Sequence, residues 1–283
     1  MATDEALALD DALRLAAVAV GRREAALLLA HVLGTDRRGL IAGAPERVPA
    51  EAARRLRRLV RQRRRGQPLA YLTGRAGFWD MELAVGPGVL VPRPETELLV
   101  ECARDEAAAG AAVGTVVDVG TGSGALAIAI ARALAGVEVY ASDRSAAALA
   151  IARRNVERWA PGVRLLPPGD LLEPAVRAGV RADVVVMNPP YVRRRELARL
   201  PREVQCEPRQ ALDGGSDGLA LVRRLVRALG RGDGVRPGAR VWIEVGAGQA
   251  EPAARILRSL GGPVRVRRDL AGIERAVGVR LRP

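Results

Sequence analysis

Apolar residues recur at helical spacing through roughly the first 65 residues, then in short runs broken by glycine and proline. Residues 3–20 predict an amphipathic helix with Thr3 as its N-cap, and REAALLLAHVL predicts a second that stops at Gly34. Residues 49–65 predict a third, stopped by Gly66. On it Leu56, Leu59 and Val60 share one face, while Arg54, Arg55, Arg57, Arg58, Arg61, Arg63, Arg64 and Arg65 cover the rest. This pattern fits a small helical bundle whose arginines face solvent; the sharper alternative is a docking surface for an acidic partner. His31, inside the second helix, is expected to be a core or helix-end histidine.

The period changes at Gln67. In GFWDMELAVGPGVLVPR two apolar runs flank Gly86-Pro87-Gly88, which predicts a β-hairpin ending near Arg93. PETELLVECARDEA follows as a helix with Pro94 in its first turn. Strands then alternate with helices: TVVDVG, a helix from Ala125, VEVYAS, a helix from Ser145, the short VRLL, and ADVVVMN. A helix from about Asp217, RVWIEVG, and a closing helix with two strands complete the chain. That order predicts an open, mostly parallel α/β sheet.

VVDVGTGSGALAIAIA places Gly120, Gly122 and Gly124 between an apolar strand and an apolar helix. Glycines permit a tight turn and let a ligand approach the backbone, and the helix behind them offers free N–H groups. Asp118 precedes the loop. Asp143 ends the next strand, where an acid suits the two hydroxyls of a ribose. Asp170, in PPGDLL after the third strand, could meet an adenine amino group. Singly, each acid reads as a cap or a surface residue. Three at successive strand ends beside a glycine loop imply an adenosine-containing cofactor, with NAD and S-adenosylmethionine both open.

Asn188 ends the fourth strand and opens Asn188-Pro189-Pro190-Tyr191. Proline fixes φ, donates no N–H, and pushes the preceding residue toward an extended conformation. The segment is therefore stiff, with carbonyls in set directions. A planar NH₂ group has two donors, which the Asn188 side-chain oxygen and the Pro189 carbonyl can accept while Tyr191 packs on the plane. A strand-ending turn is the plain alternative; the upstream glycine loop favours methyl transfer to an amino or amide nitrogen.

Composition narrows the classes. Two distant cysteines and one histidine argue against a disulfide framework, a zinc site and a Ser-His-Asp triad, so no metal is expected. An acidic N-terminal start and the lack of a long apolar run predict a cytoplasmic chain without a membrane partner. The net charge of +13 draws polyanions by field alone, yet all 45 basic residues are arginine, as a coding bias would also give.

The chain resembles the peptide chain release factor glutamine methyltransferases over essentially its whole length. The resemblance is carried by QPLAYLTGRAGFW, VLVPRPETELLV, VVDVGTGSGALAIA, NPPYV, Glu207-Pro208, DGLALVRRL and RDLAGIERAV. It implies a Rossmann-like class I methyltransferase with a seven-stranded sheet and a small N-terminal helical bundle joined by a β-hairpin. The domains expected are residues 1–74 for substrate docking, 75–93 for the hairpin and 94–283 for methyl transfer. S-adenosylmethionine is implied as donor, and as acceptor the glutamine amide of the Gly-Gly-Gln motif in class I release factors. Gly120, Thr121, Gly122, Ser123 and Gly124 would line the methionine moiety, Asp143 would take the ribose, and Asp170 with Leu171 would border the adenine. Asn188, also beside the cofactor, would bind the glutamine amide with Pro189, Pro190 and Tyr191; Asn188, Pro189 and Tyr191 would carry catalysis. A monomer that needs no nucleic acid is expected. The alternatives are a ribosomal-protein glutamine methyltransferase, an adenine-amino methyltransferase that flips its base into the same grip, and a factor that only binds. Against the adenine enzyme stand 2% aromatic residues and no separate target-recognition domain.

Overall fold

Apolar residues three and four apart wind the start of the chain into α1 (Leu9–Val20), α2 (Arg22–Val32), α3 (Arg37–Gly43), α4 (Ala50–Arg64) and α5 (Leu69–Thr73). The two-residue strands β1 (Leu7–Ala8) and β2 (Arg47–Val48) pair antiparallel beside them. This computed structural model describes residues 7–43, 45–109 and 113–282, so the Thr3 cap lies outside the described residues. Strands β3 (Arg75–Phe78) and β4 (Met81–Ala84) follow, then α6 (Glu97–Ala108) behind a 3₁₀ turn at Pro94–Thr96. Next come β5 (Thr115–Val119), α7 (Ala125–Ala133), β6 (Glu138–Ser142), α8 (Ala146–Trp159), β7 (Arg164–Leu165), α9 (Glu173–Arg177) and β8 (Ala182–Met187). The chain closes with α10 (Arg202–Gln205), α11 (Ala220–Gly230), β9 (Val235–Glu244), α12 (Ala250–Leu257), β10 (Val264–Arg268) and β11 (Glu274–Arg280).

Two compact units result, one from Met1–Arg75 with Pro201–Cys206 and one from Ala76–Leu200 with Glu207–Pro283. In the first, Leu28, Leu29, Val48, Leu56 and Leu59 are buried together, and Val60 packs against them, the face expected of α4. Arg63 leaves the solvated arginine face. It bonds Glu24 and Glu203, each at 2.7 Å, and so fastens α10 to this unit. His31 sits half-buried in the last turn of α2, its pKa lowered by desolvation and by the charges of Arg55 and Arg75. Helix α3 was not expected, because seven residues with two glycines and two arginines carry too little periodicity to announce a helix.

The hairpin turns at Trp79-Asp80, six residues before the Gly86-Pro87-Gly88 expected to turn it. Trp79 takes φ +56°, and its N–H donates to the Glu97 carboxylate at 2.7 Å. The second apolar run, Val89 to Val91, forms no strand; its Val91 N–H goes to the buried Glu207 carboxylate at 2.9 Å instead. Side-chain partners distant in sequence thus replace a ladder. Phe78, Met81 and Leu83 of the hairpin enter the core that α6, α7 and α8 build on the sheet.

The second unit is a seven-stranded sheet in the order β10-β11-β9-β8-β5-β6-β7, parallel except where β11 pairs with β9 and β10. Successive side chains point to opposite faces, so continuous apolar runs coat both. Val116, Val184 and Val186 meet α6, α7 and α8. Val117, Val119, Val185 and Met187 meet α9, α11 and α12. One buried charge ties helix to sheet: Glu106 of α6 accepts from Trp242 Nε1 at 3.1 Å, pairs with Arg240 at 2.9 Å, and also meets Arg265. Glu106→Ala should therefore leave the nearly buried Arg240 uncompensated and cost about 3 kcal/mol, seen as a lower urea midpoint at unchanged slope.

Candidate active site

Val119 at the end of β5 pairs with Met187 at the end of β8, so Gly120 and Asn188 begin neighbouring loops on one sheet edge. β6 and β7 lie on the other side of β5, so strand order reverses between β5 and β8, which is where open α/β sheets hold ligands. A cavity of about 620 Å³ opens there. Its wall carries Gly120, Thr121, Gly122, Ser123, Asp143, Asp170, Leu171, Asn188 and Pro190. The other expected site residues stand off the wall: Gly124 begins α7 against Ile128 and Ala152, Pro189 is buried, and Tyr191 is half-buried.

The glycine loop presents bare backbone to the cavity. Gly120 and Gly122 take φ +76° and +58°, and a Cβ at either would find no atom within 4 Å. A side chain would therefore enter the cavity from a strained backbone. Asp143 holds the loop's shape by accepting from Gly122 N at 2.9 Å and Ser145 N at 2.8 Å, and it still faces the cavity. Asp118 braces the loop from beneath, accepting from Thr121 Oγ1 at 2.6 Å and Ala127 N at 3.2 Å. Burial pushes its carboxyl up to about 7, against the pull of those two hydrogen bonds. Asp170 pairs with Arg224. Leu171 beside it takes φ +49°, with its carbonyl accepting from Ser142 Oγ at 3.3 Å.

Asn188-Pro189-Pro190-Tyr191 is clamped by its surroundings. Gln249 Nε2 donates to the Tyr191 carbonyl at 2.9 Å, and Val192 exchanges backbone hydrogen bonds with Leu212 and Gly214. A Cβ on Gly214 would lie 2.6 Å from the Pro190 oxygen, and one on Gly218 would lie 2.3 Å from the Tyr191 oxygen, so only glycine fits. Asn188 Nδ2 donates to Thr96 Oγ1 at 2.8 Å, and Thr96 Oγ1 donates to Glu244 Oε2 at 2.6 Å. The Tyr191 hydroxyl also bonds Glu244. Burial raises the Glu244 carboxyl to about 7 and, with the nearby carboxylate, the Tyr191 phenol to about 12.

Residues 9–74 match the family model described as PrmC N-terminal domain, and residues 94–222 match the Methyltransferase small domain. The release factor glutamine methyltransferase of Burkholderia pseudomallei is 44% identical over 265 residues, 91% of this chain and 91% of that protein. The chain belongs to the release factor glutamine methyltransferase family. The Bordetella pertussis relative of the same name is 43% identical over 258 residues, 91% of this chain and 94% of that protein. The sheet and its helices are the class I methyltransferase fold. The N-terminal domain of human METTL16 in complex with SAH shares it, with a TM-score of 0.51, 17% identity, and 70% of this chain and 74% of that one covered.

Three residues of this release factor glutamine methyltransferase family member escaped the sequence reasoning. Asn155 is 1% exposed in α8; its Nδ2 donates to Ser123 O at 2.8 Å and Ala84 O at 2.9 Å, and its Oδ1 accepts from Ala84 N at 2.7 Å. The signal was present: a polar residue on the same helix face as Ala148, Leu149 and Ala152. Thr96 and Glu244 are the others. Glu244 ends a strand at the same edge as Asp143, so the inference applied to that acid extended to it.

The raised carboxyl of Asp118 has a stability consequence. Its folded-state pKa lies above the usual value of about 3.9, so its contribution is fullest below pH 4 and fades as pH rises through 7. Relative to Asp118→Asn, the wild type should lose stability between pH 5 and pH 8 by no more than a few kcal/mol. Urea unfolding at the two pH values measures this, and a constant difference would place the charge penalty elsewhere.

Proposed function

We propose that this protein transfers a methyl group from S-adenosylmethionine to the side-chain amide nitrogen of the glutamine in the Gly-Gly-Gln motif of class I peptide chain release factors. The observation that carries this is Asn188: with Nδ2 engaged by Thr96, its Oδ1 is left as an acceptor at the wall of a cavity floored by bare glycines. The cavity volume lies within the range of sites that enclose small cofactors. Gly120, Thr121, Gly122 and Ser123 would hold the methionine part, with Gly124 setting the loop's exit into α7. Asp143 would accept from the ribose hydroxyls with the lone pairs its backbone donors leave free, and Asp170 with Leu171 would border the adenine.

When bound, S-adenosylmethionine supplies a methyl on a positively charged sulfur, and transfer leaves S-adenosylhomocysteine. An amide nitrogen is a weak nucleophile because its lone pair is shared with the carbonyl. Asn188 Oδ1 and the Pro189 carbonyl each accept one N–H of the glutamine, which orients the nitrogen and favours positive charge on it before reaction. Pro190 completes the grip from the cavity wall, and Tyr191 anchors the segment through its hydroxyl. These residues would hold the amide nitrogen in line with that methyl, and the proton the nitrogen sheds on methylation would pass to water.

We assign residues 1–74 to docking the release factor, 75–93 to the hairpin and 94–283 to methyl transfer. A cytoplasmic monomer suffices, and no nucleic acid is required. Among the described residues no helix is long and apolar enough to cross a membrane.

The direct test mixes protein, S-adenosylmethionine and an unmodified class I release factor, then weighs the peptide bearing Gly-Gly-Gln. One added methyl on that glutamine is expected. An unmodified peptide from a protein that binds the cofactor would move the acceptor to a ribosomal-protein glutamine, then to adenine. Asn188→Ala should lower turnover by roughly two orders of magnitude with cofactor affinity nearly unchanged. Asp143→Ala should weaken cofactor binding in calorimetry, and unchanged affinity would remove its ribose role.

A further inference from the structure

An asparagine side chain can face a ligand with its oxygen or with its NH₂, and the two ends have almost the same shape. Only the oxygen can hold an acceptor amide by its N–H. The partner behind Asn188 therefore decides whether the site grips its substrate or repels it.

That partner is Thr96, in the turn that opens α6. A hydroxyl has one proton to give. Thr96 spends it on Glu244 Oε2 at 2.6 Å, so toward Asn188, at 2.8 Å, it can only accept. An Asn188 turned the other way would bring its Oδ1 against an oxygen with no proton left to offer. Glu244 fixes this direction in its ionised state, because a carboxylate only accepts; with its carboxyl raised to about 7, that state prevails above neutral pH, which is where the chain is polarised. It is 1% exposed at the end of β9, and its other hydrogen-bond donor is the Tyr191 hydroxyl. Arg275 of β11 opposes the loss of its charge, and Glu95, beside Thr96, favours it. Tyr191 is fixed in turn by Gln249, which bonds its carbonyl and takes the Gly246 N–H at 2.9 Å.

We propose that Thr96 and Glu244 are positioning residues: by polarising one buried hydrogen-bond chain, they hold the Asn188 oxygen toward the acceptor nitrogen. This rests on the methyl-transfer role assigned to Asn188. Thr96 also stands on the cavity wall and Glu244 also holds the Tyr191 hydroxyl, so the part of their effect that runs through Asn188 is the part the double variant isolates.

Thr96→Val keeps the shape and removes the hydroxyl, whereas Thr96→Ser keeps the hydroxyl. On an unmodified release factor, Thr96→Val should lower kcat on the order of 10- to 100-fold, as misplacement of an orienting group does. KM and cofactor affinity by calorimetry should stay within about threefold. Thr96→Ser should restore most of the rate. The decisive arm repeats Thr96→Val in an Asn188→Ala background, where it should cost almost nothing more, because the group it orients is gone. The inference fails if Thr96→Val turns over normally, if Thr96→Ser is as slow as Thr96→Val, or if the two losses multiply. Reduced cofactor binding by Thr96→Val would also overturn it, by making Thr96 a general support of the fold. A wild type that methylates no release factor would instead strike the assigned function. The variant ratios, measured on whichever acceptor it does methylate, would still test the chain.

Discussion

The pairing of Val119 with Met187 across β5 and β8 is the constraint on which the site depends. Parallel strands in register end at one level, so two loops with opposite tasks start side by side. One is backbone without side chains, able to admit a ligand closely. The other is a proline-stiffened segment that begins with an amide. Because strand order reverses here, no crossover helix covers the gap between them, and the crevice is a by-product of the winding rather than a feature carved into it.

Around that crevice the protein buries carboxylates, and the partners differ with place. Glu106, away from the crevice, is met by arginines, which balances its charge outright. Asp118 and Glu244, at the sheet edge, are met by hydroxyl and amide donors. Neutral donors satisfy lone pairs but leave the charge less compensated, and both carboxyls are pushed up to about 7. What these two acids gain is direction: once ionised, above about pH 7, each only accepts and so dictates which way every neighbouring proton points.

The sequence displayed the architecture well because buried parallel strands are nearly pure apolar runs, as VVV at 184–186 is, and because glycine and proline mark the loops. Nine of the twelve expected cofactor and acceptor residues lie on one cavity wall. The hairpin was recognised but turned at the wrong place: Gly86-Pro87-Gly88 carries the stronger turn signal, while the chain turns at Trp79, whose positive φ its residue type does not advertise. Asn155, Thr96 and Glu244 were passed over for a different reason. Their roles exist only through partners far along the chain, 148 residues apart for Thr96 and Glu244 and 92 for Thr96 and Asn188. Local pattern marks Asn155 as a polar residue on an apolar helix face and Glu244 as an acid at a strand end, but it holds no record of the residues they pair with.

The glycines that enclose Asn188-Pro189-Pro190-Tyr191 make the tetrapeptide inseparable from its housing. With no room for a methyl at Gly214 or Gly218, and with Gln249 threaded between the Tyr191 carbonyl and Gly246, the four residues keep their shape only inside this shell. Grafted into another α/β scaffold without the turn at 213–218 and a glutamine equivalent to Gln249, the same letters would be an ordinary proline-rich loop. The transferable module is a three-segment interlock, and its parts must be moved, or altered, together.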